Sequence, residues 1–348
     1  MPTVITYNTL IRGLLAQHKS AEARLLFENL IKFREVQPNV VTFTTMIDGL
    51  CKTGHTDMAL WLFRFMEKCN CKPNIVTSNT VIDSFCEQGL ADDALDLHSE
   101  MIENGILPDV WSYNTIIRVL CRLDRWEDVS MLLKQMMEDI NISPDVHTFT
   151  ILIDAYSKSG KLDDAKHIIE IMSERGVYPD IVTYNTLMQG YCTQGQTAIA
   201  FDLYRKILSE GLSPTIVTHN ILVHGLCQMG KSMEALTILY KMQDQGHRPD
   251  IVTYETLLGG LCKNRYVDKA LSLFQAMECN GLLPDSKTYN IVICGCLCNR
   301  RYNEACKLVD KMVNCGFSAN GFTQSLLHLL LSEAQDPTVL AIHQKCLH

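Results

Sequence analysis

Few residues in this chain have the chemistry to do more than pack. The fifteen cysteines include "CGCLC", which puts Cys294 and Cys298 one helical turn apart and Cys296 on another face, with no histidine nearby. A zinc site needs four converging ligands, so packing is the better reading. "HSE" at His98–Glu100 matches the first half of a zinc-deaminase signature, but the chain contains no C-x-x-C to complete it. No P-loop, nucleophile elbow or paired-carboxylate arrangement stands out. What remains is a polar letter that varies inside a constant phrase. "PDIVTYNTLMQGYC" (Pro179 to Cys192) returns as "PDIVTYETLLGGLC" (Pro249 to Cys262), with Asn185 exchanged for Glu255. Amide, hydroxyl and carboxylate side chains of this kind make directional hydrogen bonds, either to a ligand or to a helix end.

The elements that must hold these letters follow from the repeat. The "VTYN" phrase starts at Val4, Val40, Ile75, Val110, Val146, Ile181, Ile216, Ile251 and Ser286, at spacings of 35 or 36 residues. Nine units result: 4–39, 40–74, 75–109, 110–145, 146–180, 181–215, 216–250, 251–285 and 286–320. In 181–215, Tyr184, Leu187, Met188, Tyr191 and Cys192 form the stripe of an amphipathic helix, and Ala200, Leu203, Tyr204 and Ile207 form a second. Gly195 separates the two, and Gly211 with Pro214 closes the second. One such hairpin cannot bury apolar residues on both helices, whereas a stack of hairpins can. The expected fold is all-α, a right-handed α-solenoid of stacked 35-residue helical hairpins. Residues 321–348, with "SLLHLLL" and "TVLAIHQKCL" on either side of Asp336-Pro337, are expected to form a degenerate capping hairpin. Nothing before Pro2-Thr3 covers the first helix, so a longer natural N-terminus is expected.

Composition narrows the class. The chain is 47% hydrophobic, but its apolar runs, such as Leu326–Leu331 interrupted by His328, are far too short to span a bilayer. No signal or transit segment precedes the first unit, so either no address is needed or it has been removed. Cys51, Cys86, Cys121, Cys192, Cys227 and Cys262 recur at one place in the unit, as copies of a small buried position in a reducing compartment. Net charge is −8, which at face value argues against a polyanionic partner.

A 35-residue hairpin carrying "VTYNTLI.GLCK.G" and ending "G..PD" resembles the pentatricopeptide repeat family, P subclass. "VVTFTTMIDGLCKTG" (40–54) and "IVTHNILVHGLCQMG" (216–230) are similar to its restorer-of-fertility-like branch. The tetratricopeptide pattern is absent from every unit. The resemblance implies single-stranded RNA binding with one base per unit, about nine nucleotides in all. It also implies a non-enzymatic role without cofactor or metal in processing, stabilising or translating organellar RNA, in mitochondria or alternatively chloroplasts. Other RNA-processing proteins are the further partners it suggests, and no membrane.

The family reads a base edge with the fifth residue of a unit and its thirty-fifth. That pairs Asn8 with Asn39, Thr44 with Asn74, Asn79 with Asp109, Asn114 with Asp145, and Thr150 with Asp180. It continues with Asn185 and Thr215, Asn220 and Asp250, Glu255 and Asp285, and Asn290 and Asn320. The second residues sandwich the bases: Ile5, Val41, Val76, Trp111, His147, Val182, Val217, Val252 and Lys287. The implied string is pyrimidine-A-U-U-G-pyrimidine-U-unknown-pyrimidine, the sixth and eighth pairs departing from the common combinations. Two plainer readings stand beside this one. Asn, Thr and Asp before a helix are ordinary caps, and valine at a helix start can simply be buried.

The charge objection weakens once charge is placed. In the first fourteen residues of the nine units, Arg12, Lys52, Arg118, Arg122, Lys158, Lys263 and Lys287 outnumber Asp48, Asp83, Glu87, Asp154 and Glu255, so the acidity sits on second helices and loops. Lys52, Arg122, Lys158 and Lys263 share the thirteenth place and suit phosphates. Four such contacts give a salt slope of about −2.8. Helix-end cations favoured by the dipole are the plainer alternative, and a protein-binding scaffold is the alternative function.

Overall fold

At Asn39, Asn74, Asp109, Asp180, Thr215, Asp250 and Asp285, each ahead of a "VTYN" phrase, the backbone is extended and the side chain accepts the amide of the third helical residue, which starts the helix. In a computed structural model, describing residues 2–33, 36–138, 142–334 and 337–346, this yields twenty α-helices and no strand among the described residues. The first helices of the hairpins are α1 (Val4–Ala16), α3 (Val40–Lys52), α5 (Ile75–Gln88), α7 (Val110–Arg122), α9 (Val146–Lys158), α11 (Ile181–Thr193), α13 (Ile216–Gln228), α15 (Ile251–Lys263), α17 (Ser286–Cys298) and α19 (Gly321–Ala334). The second helices are α2 (Ser20–Phe33), α4 (Thr56–Lys68), α6 (Ala91–Glu103), α8 (Trp126–Glu138), α10 (Leu162–Glu174), α12 (Thr197–Ser209), α14 (Ser232–Asp244), α16 (Val267–Cys279), α18 (Tyr302–Asn314) and α20 (Pro337–Cys346). Of the expected Asp336-Pro337 break, Asp336 lies outside the described residues, while Pro337 opens α20 at the position where a missing amide hydrogen costs least.

The α11–α12 hairpin shows why these residues fold so. Tyr184, Leu187, Met188, Tyr191 and Cys192 are all buried, as the spacing predicts. Gly195 and Gly211 turn the chain with φ of 74° and 76°, a region that costs other residues a Cβ clash. Tyr184 is tied to the loop after the second helix by a 2.7 Å bond from its hydroxyl to Glu210 Oε2. In the next hairpin His219 stands in the tyrosine's place and keeps that link through Gln245, at 3.1 Å.

The chain divides into two compact units, Met1–Ala155 with Ile171–Val177, and Tyr156–Glu170 with Tyr178–His348. Within the first, α1, α3, α5 and α7 pack in succession, and α2, α4 and α6 each pack on their own first helix and on the next. Within the second, α11, α13, α15, α17 and α19 do the same, and a continuous core runs from Val223 to Ile342. The terminal hairpin differs, because α20 packs directly on α18.

The cysteine column explains the glycines in the phrase. A Cβ on Gly225 would lie 2.6 Å from Cys192 Sγ, and one on Gly260 would lie 2.7 Å from Cys227 Cβ. Cysteine fills the gap that glycine leaves in the next unit, so first helices approach closely. Burial pushes the thiols of Cys86, Cys121 and Cys262 up to about 12, so they stay protonated and inert. Cys294 bonds Thr323 Oγ1 at 3.1 Å, and no metal-binding group of three or more His, Cys, Asp or Glu exists among the described residues. His98 is buried inside α6 against the Tyr113 ring. No described helix is long and apolar enough to cross a membrane.

Candidate nucleic-acid interface

Within each compact unit the fifth and thirty-fifth places meet where one first helix packs on the next. The thirty-fifth residues are indeed helix caps. Asn39, Asn74, Asp109, Asp180, Thr215, Asp250 and Asp285 accept the amide of the third residue of the following helix, and Asp145 and Asn320 do the same at 2.8 Å. Capping does not exhaust these groups. In Asp109, Asp145 and Asp250 the bonds from the third and fifth residues fall on Oδ1, as do those from the third residue in Asp285. Burial alone would raise the Asp145 and Asp250 carboxyls. The amide and hydroxyl of the third residue and the Asn114 or Asn220 amide outweigh it and hold both below their usual range.

The fifth residues are bound side chain to side chain with the thirty-fifth in three sites. Nδ2 of Asn79, Asn114 and Asn220 donates to Oδ1 of Asp109, Asp145 and Asp250 at 3.3, 3.5 and 3.2 Å. Thr44 donates to Val40 O at 2.8 Å and meets Thr77 Oγ1 at 2.8 Å, beside Asn74. Asn290 accepts the Asn320 backbone amide at 3.0 Å. Glu255 is instead ion-paired with Lys287, Nζ to Oε2 at 2.7 Å. Thr150 and Asp180 lie in different compact units, Thr150 donating to Val146 O and Asp180 capping α11. The carboxamide oxygens of Asn8, Asn114 and Asn185 are buried with no partner.

The third residue, which reads as framework in the sequence, completes the arrangement. The hydroxyls of Ser112, Thr253 and Thr323 lie 2.7, 2.6 and 2.6 Å from Oδ1 of Asn79, Asn220 and Asn290, each sharing its one hydrogen between that oxygen and the cap. Each of these fixes the amide so that its NH2 turns to the thirty-fifth residue or to the backbone, and the slot becomes preorganised.

The second residues are exposed, not buried. Ile5, Val41, Val76, Trp111 and His147 in the first unit, and Val182, Val217, Val252 and Lys287 in the second, all face solvent. Burial therefore does not account for the branched apolar residues at this place. Phe322 occupies the same place in α19 and is 69% exposed, although the terminal hairpin reads as a mere cap. A groove of ≈ 770 Å³ brings Val41, Thr44, Lys52, Asn74 and Val76 onto one wall system.

The thirteenth-place cations are less uniform. Lys52 pairs with Asp48 at 2.8 Å, an exposed contact that a phosphate could displace at little cost. Arg122 donates from Nη2 to Cys86 O at 2.8 Å, which ties the end of α5 to α7. Lys158 has a partner of its own, and Lys263 lines a groove of ≈ 280 Å³ with Glu255 and Lys287. Arg118 reaches His147 Nε2 at 3.2 Å and adds a cation beside His147 that the thirteenth-place pattern does not include.

Comparison with known proteins gives one consistent answer. The PPR repeat family matches residues 2–52, 38–87, 73–122, 108–158, 144–190, 179–228, 214–263 and 249–299, and the PPR repeat matches 287–317. A pentatricopeptide repeat-containing protein of Arabidopsis thaliana is 43% identical over 58 residues, 17% of this chain and 12% of that protein. The crystal structure of the pentatricopeptide repeat protein PPR10 from maize superposes with a TM-score of 0.54 at 22% identity, over 99% of this chain and 60% of that one. PPR10 in complex with an 18-nt psaJ RNA element gives a TM-score of 0.50 at 22% identity, over 99% and 61%. The chain thus spans less than two thirds of these relatives, and the likeness to PPR10 is one of fold. With the repeat matched from residue 2 to residue 317, the chain belongs to the pentatricopeptide repeat family.

Proposed function

We propose that this chain binds single-stranded RNA sequence-selectively, its nine units at 4–320 taking one base each and residues 321–348 closing the array. The observation that carries the reading is the pairing of two features that a purely structural repeat does not need. Solvent-facing residues stand at the second place of all nine units, seven of them apolar, and buried carboxamide oxygens without partners stand at the fifth place of Asn8, Asn114 and Asn185. An unpaired buried acceptor costs about 1–3 kcal/mol, a cost that packing alone gives no reason to keep, and the exposed walls give the faces of a base a place to lie.

The hydrogen-bond geometry supports the family's correspondence. In an Asn/Asp slot the amide donates one hydrogen to the aspartate and keeps its second, while carboxylate Oδ2 remains an acceptor. One donor beside one acceptor complements O4 and N3–H of uracil. A threonine whose hydrogen goes to the helix backbone, as Thr44 to Val40 O, offers only an acceptor. Beside an asparagine, with its NH2, that suits adenine; beside an aspartate it suits guanine. The string is therefore pyrimidine-A-U-U-G-pyrimidine-U, an eighth base, then a pyrimidine.

The biological setting is a non-enzymatic one. The chain is of the P subclass and restorer-of-fertility-like, acting in a plant organelle, mitochondria first and chloroplasts second, where it protects RNA or marks it for processing or translation by other proteins. Binding of the nonamer and of a scrambled RNA of equal composition, followed by fluorescence anisotropy, tests this. The nonamer should bind at least about tenfold tighter. Equal or absent binding overturns the reading and leaves the protein-binding scaffold in its place.

A further inference from the structure

The slot between α15 and α17 differs from the others in kind. Glu255 is only 7% exposed, and Lys287, from the second place of the next unit, holds its Oε2 at 2.7 Å while the Thr288 hydroxyl reaches Oε1 at 3.5 Å. Asp285 caps α17 through Oδ1, accepting the Thr288 amide at 2.8 Å and its hydroxyl at 2.9 Å. In the neighbouring slot the Asn220 amide brings a donor; here the fifth and thirty-fifth residues are both carboxylates, which only accept. Of the side-chain donors at hand, Lys287 is already directed at Glu255, and the one hydrogen of the Thr288 hydroxyl lies between Asp285 and Glu255. The ammonium also supplies the counter-charge that a buried carboxylate requires. The slot opens into a groove of ≈ 280 Å³ with Val252, Lys263 and Lys287 on its walls.

We propose that this eighth slot selects guanine, with Glu255 accepting from its N1–H and exocyclic N2–H. The inference rests on the RNA-binding reading above and assigns the base that the family correspondence leaves open. It follows from the four base edges. Guanine alone presents two adjacent donors to a pair of acceptors. Adenine and cytosine each present one donor beside a ring nitrogen whose lone pair a carboxylate repels. Uracil presents one donor between two carbonyl oxygens. Lys287 forms the slot's wall through its methylene stem, which packs on a base face as the valines do elsewhere.

The experiment uses the full chain and four nonamers that differ only at the eighth base, with a scrambled RNA as reference. Wild type should prefer guanine over each other base by about tenfold, within the range of a good bidentate contact. Glu255→Asn, which recreates an Asn/Asp slot, should shift the preference to uracil. Glu255→Gln, nearly isosteric, should abolish the guanine preference. If all four nonamers bind alike yet tighter than the scrambled RNA, the RNA reading stands and this proposal falls. If none binds tighter than the scrambled RNA, the RNA reading itself falls. A guanine preference that survives both substitutions shows that Glu255 is not its source and overturns the proposal.

Discussion

The seventh and eighth slots are built on the same backbone and hold opposite chemistry. Each begins with a capped first helix, each has a thirty-fifth-place aspartate accepting on Oδ1, and each has a threonine at the third place of the next unit. In the seventh, Asn220 donates to Asp250 and accepts from Thr253, so neutral groups satisfy one another. In the eighth, Glu255 has no donor to offer Asp285, and charge balance comes from Lys287, a residue that elsewhere in the row is valine, isoleucine or an aromatic. A change at the fifth place is thus matched by one at the second place of the next unit. The framework is indifferent to the letter, and the letter carries its own compensation.

The largest effect should come from the framework common to both slots. Gly260→Val drives a side chain into Cys227, which joins α13 to α15, and should destabilise the fold by about 3 kcal/mol. Selectivity at the seventh and eighth bases should be lost together, and retention of either would show that the two slots do not share this support.

Acid separates them. Buried His219 lies beside Asn220 where Tyr254 lies beside Glu255, and burial lowers its pKa, with nearby His247 adding to the effect. The unfolded chain then takes up the proton first, so stability falls as pH drops below about 6.5. Buried His98, pushed down to about 4 by desolvation, acts in the same direction by about 3 kcal/mol between those two pH values. His219→Tyr should flatten the loss measured by urea unfolding at pH 7 and pH 5. An unchanged slope would remove His219 as a source.

The walls can be compared through Trp111, 47% exposed, where slot seven has only valines. Trp111→Ala should cost about 1–3 kcal/mol of RNA affinity and leave the melting temperature nearly unchanged. A loss of stability instead would make Trp111 a packing residue.

The compensation itself is tested by Asn220→Glu. It places a carboxylate next to Asp250 with Val252, not lysine, opposite, and should cost about 2 kcal/mol of stability, reduced by the site's partial exposure. Val252→Lys in the same chain should recover most of that. Failure to recover would mean that the Glu255–Lys287 pair is coincidental.

Hairpins, helix starts and the buried stripe were legible because a 3.6-residue period and a 35-residue repeat each have one good solution for this chain. Other features needed coordinates. Valine at a helix start says nothing about which way it faces, so the exposed row was invisible by residue type. Thr253 and Thr288 sit inside the constant "VT" or "KT" phrase and read as scaffold, although their hydroxyls reach the variable letter. Glu255 and Lys287 lie 32 residues apart and had been given separate roles, one reading and one stacking, so their ion pair was hidden. Phe322 follows a glycine in a hairpin whose phrase has decayed, and its place emerges only from the Thr323 bond to Asn290. Arg122 on the Cys86 carbonyl shows that a cation at the thirteenth place also serves a helix end.

The central claim is that the fifth residue chooses the base and is not merely part of a cap. The most direct measurement compares wild type with Asn114→Thr on two nonamers that carry uracil or guanine at the fourth position. Asp145 still caps α9 in the variant, so the fold is retained. Preference should move from uracil to guanine, reversing the ratio of the two dissociation constants. An unchanged preference for uracil, with the variant folded, would contradict the account.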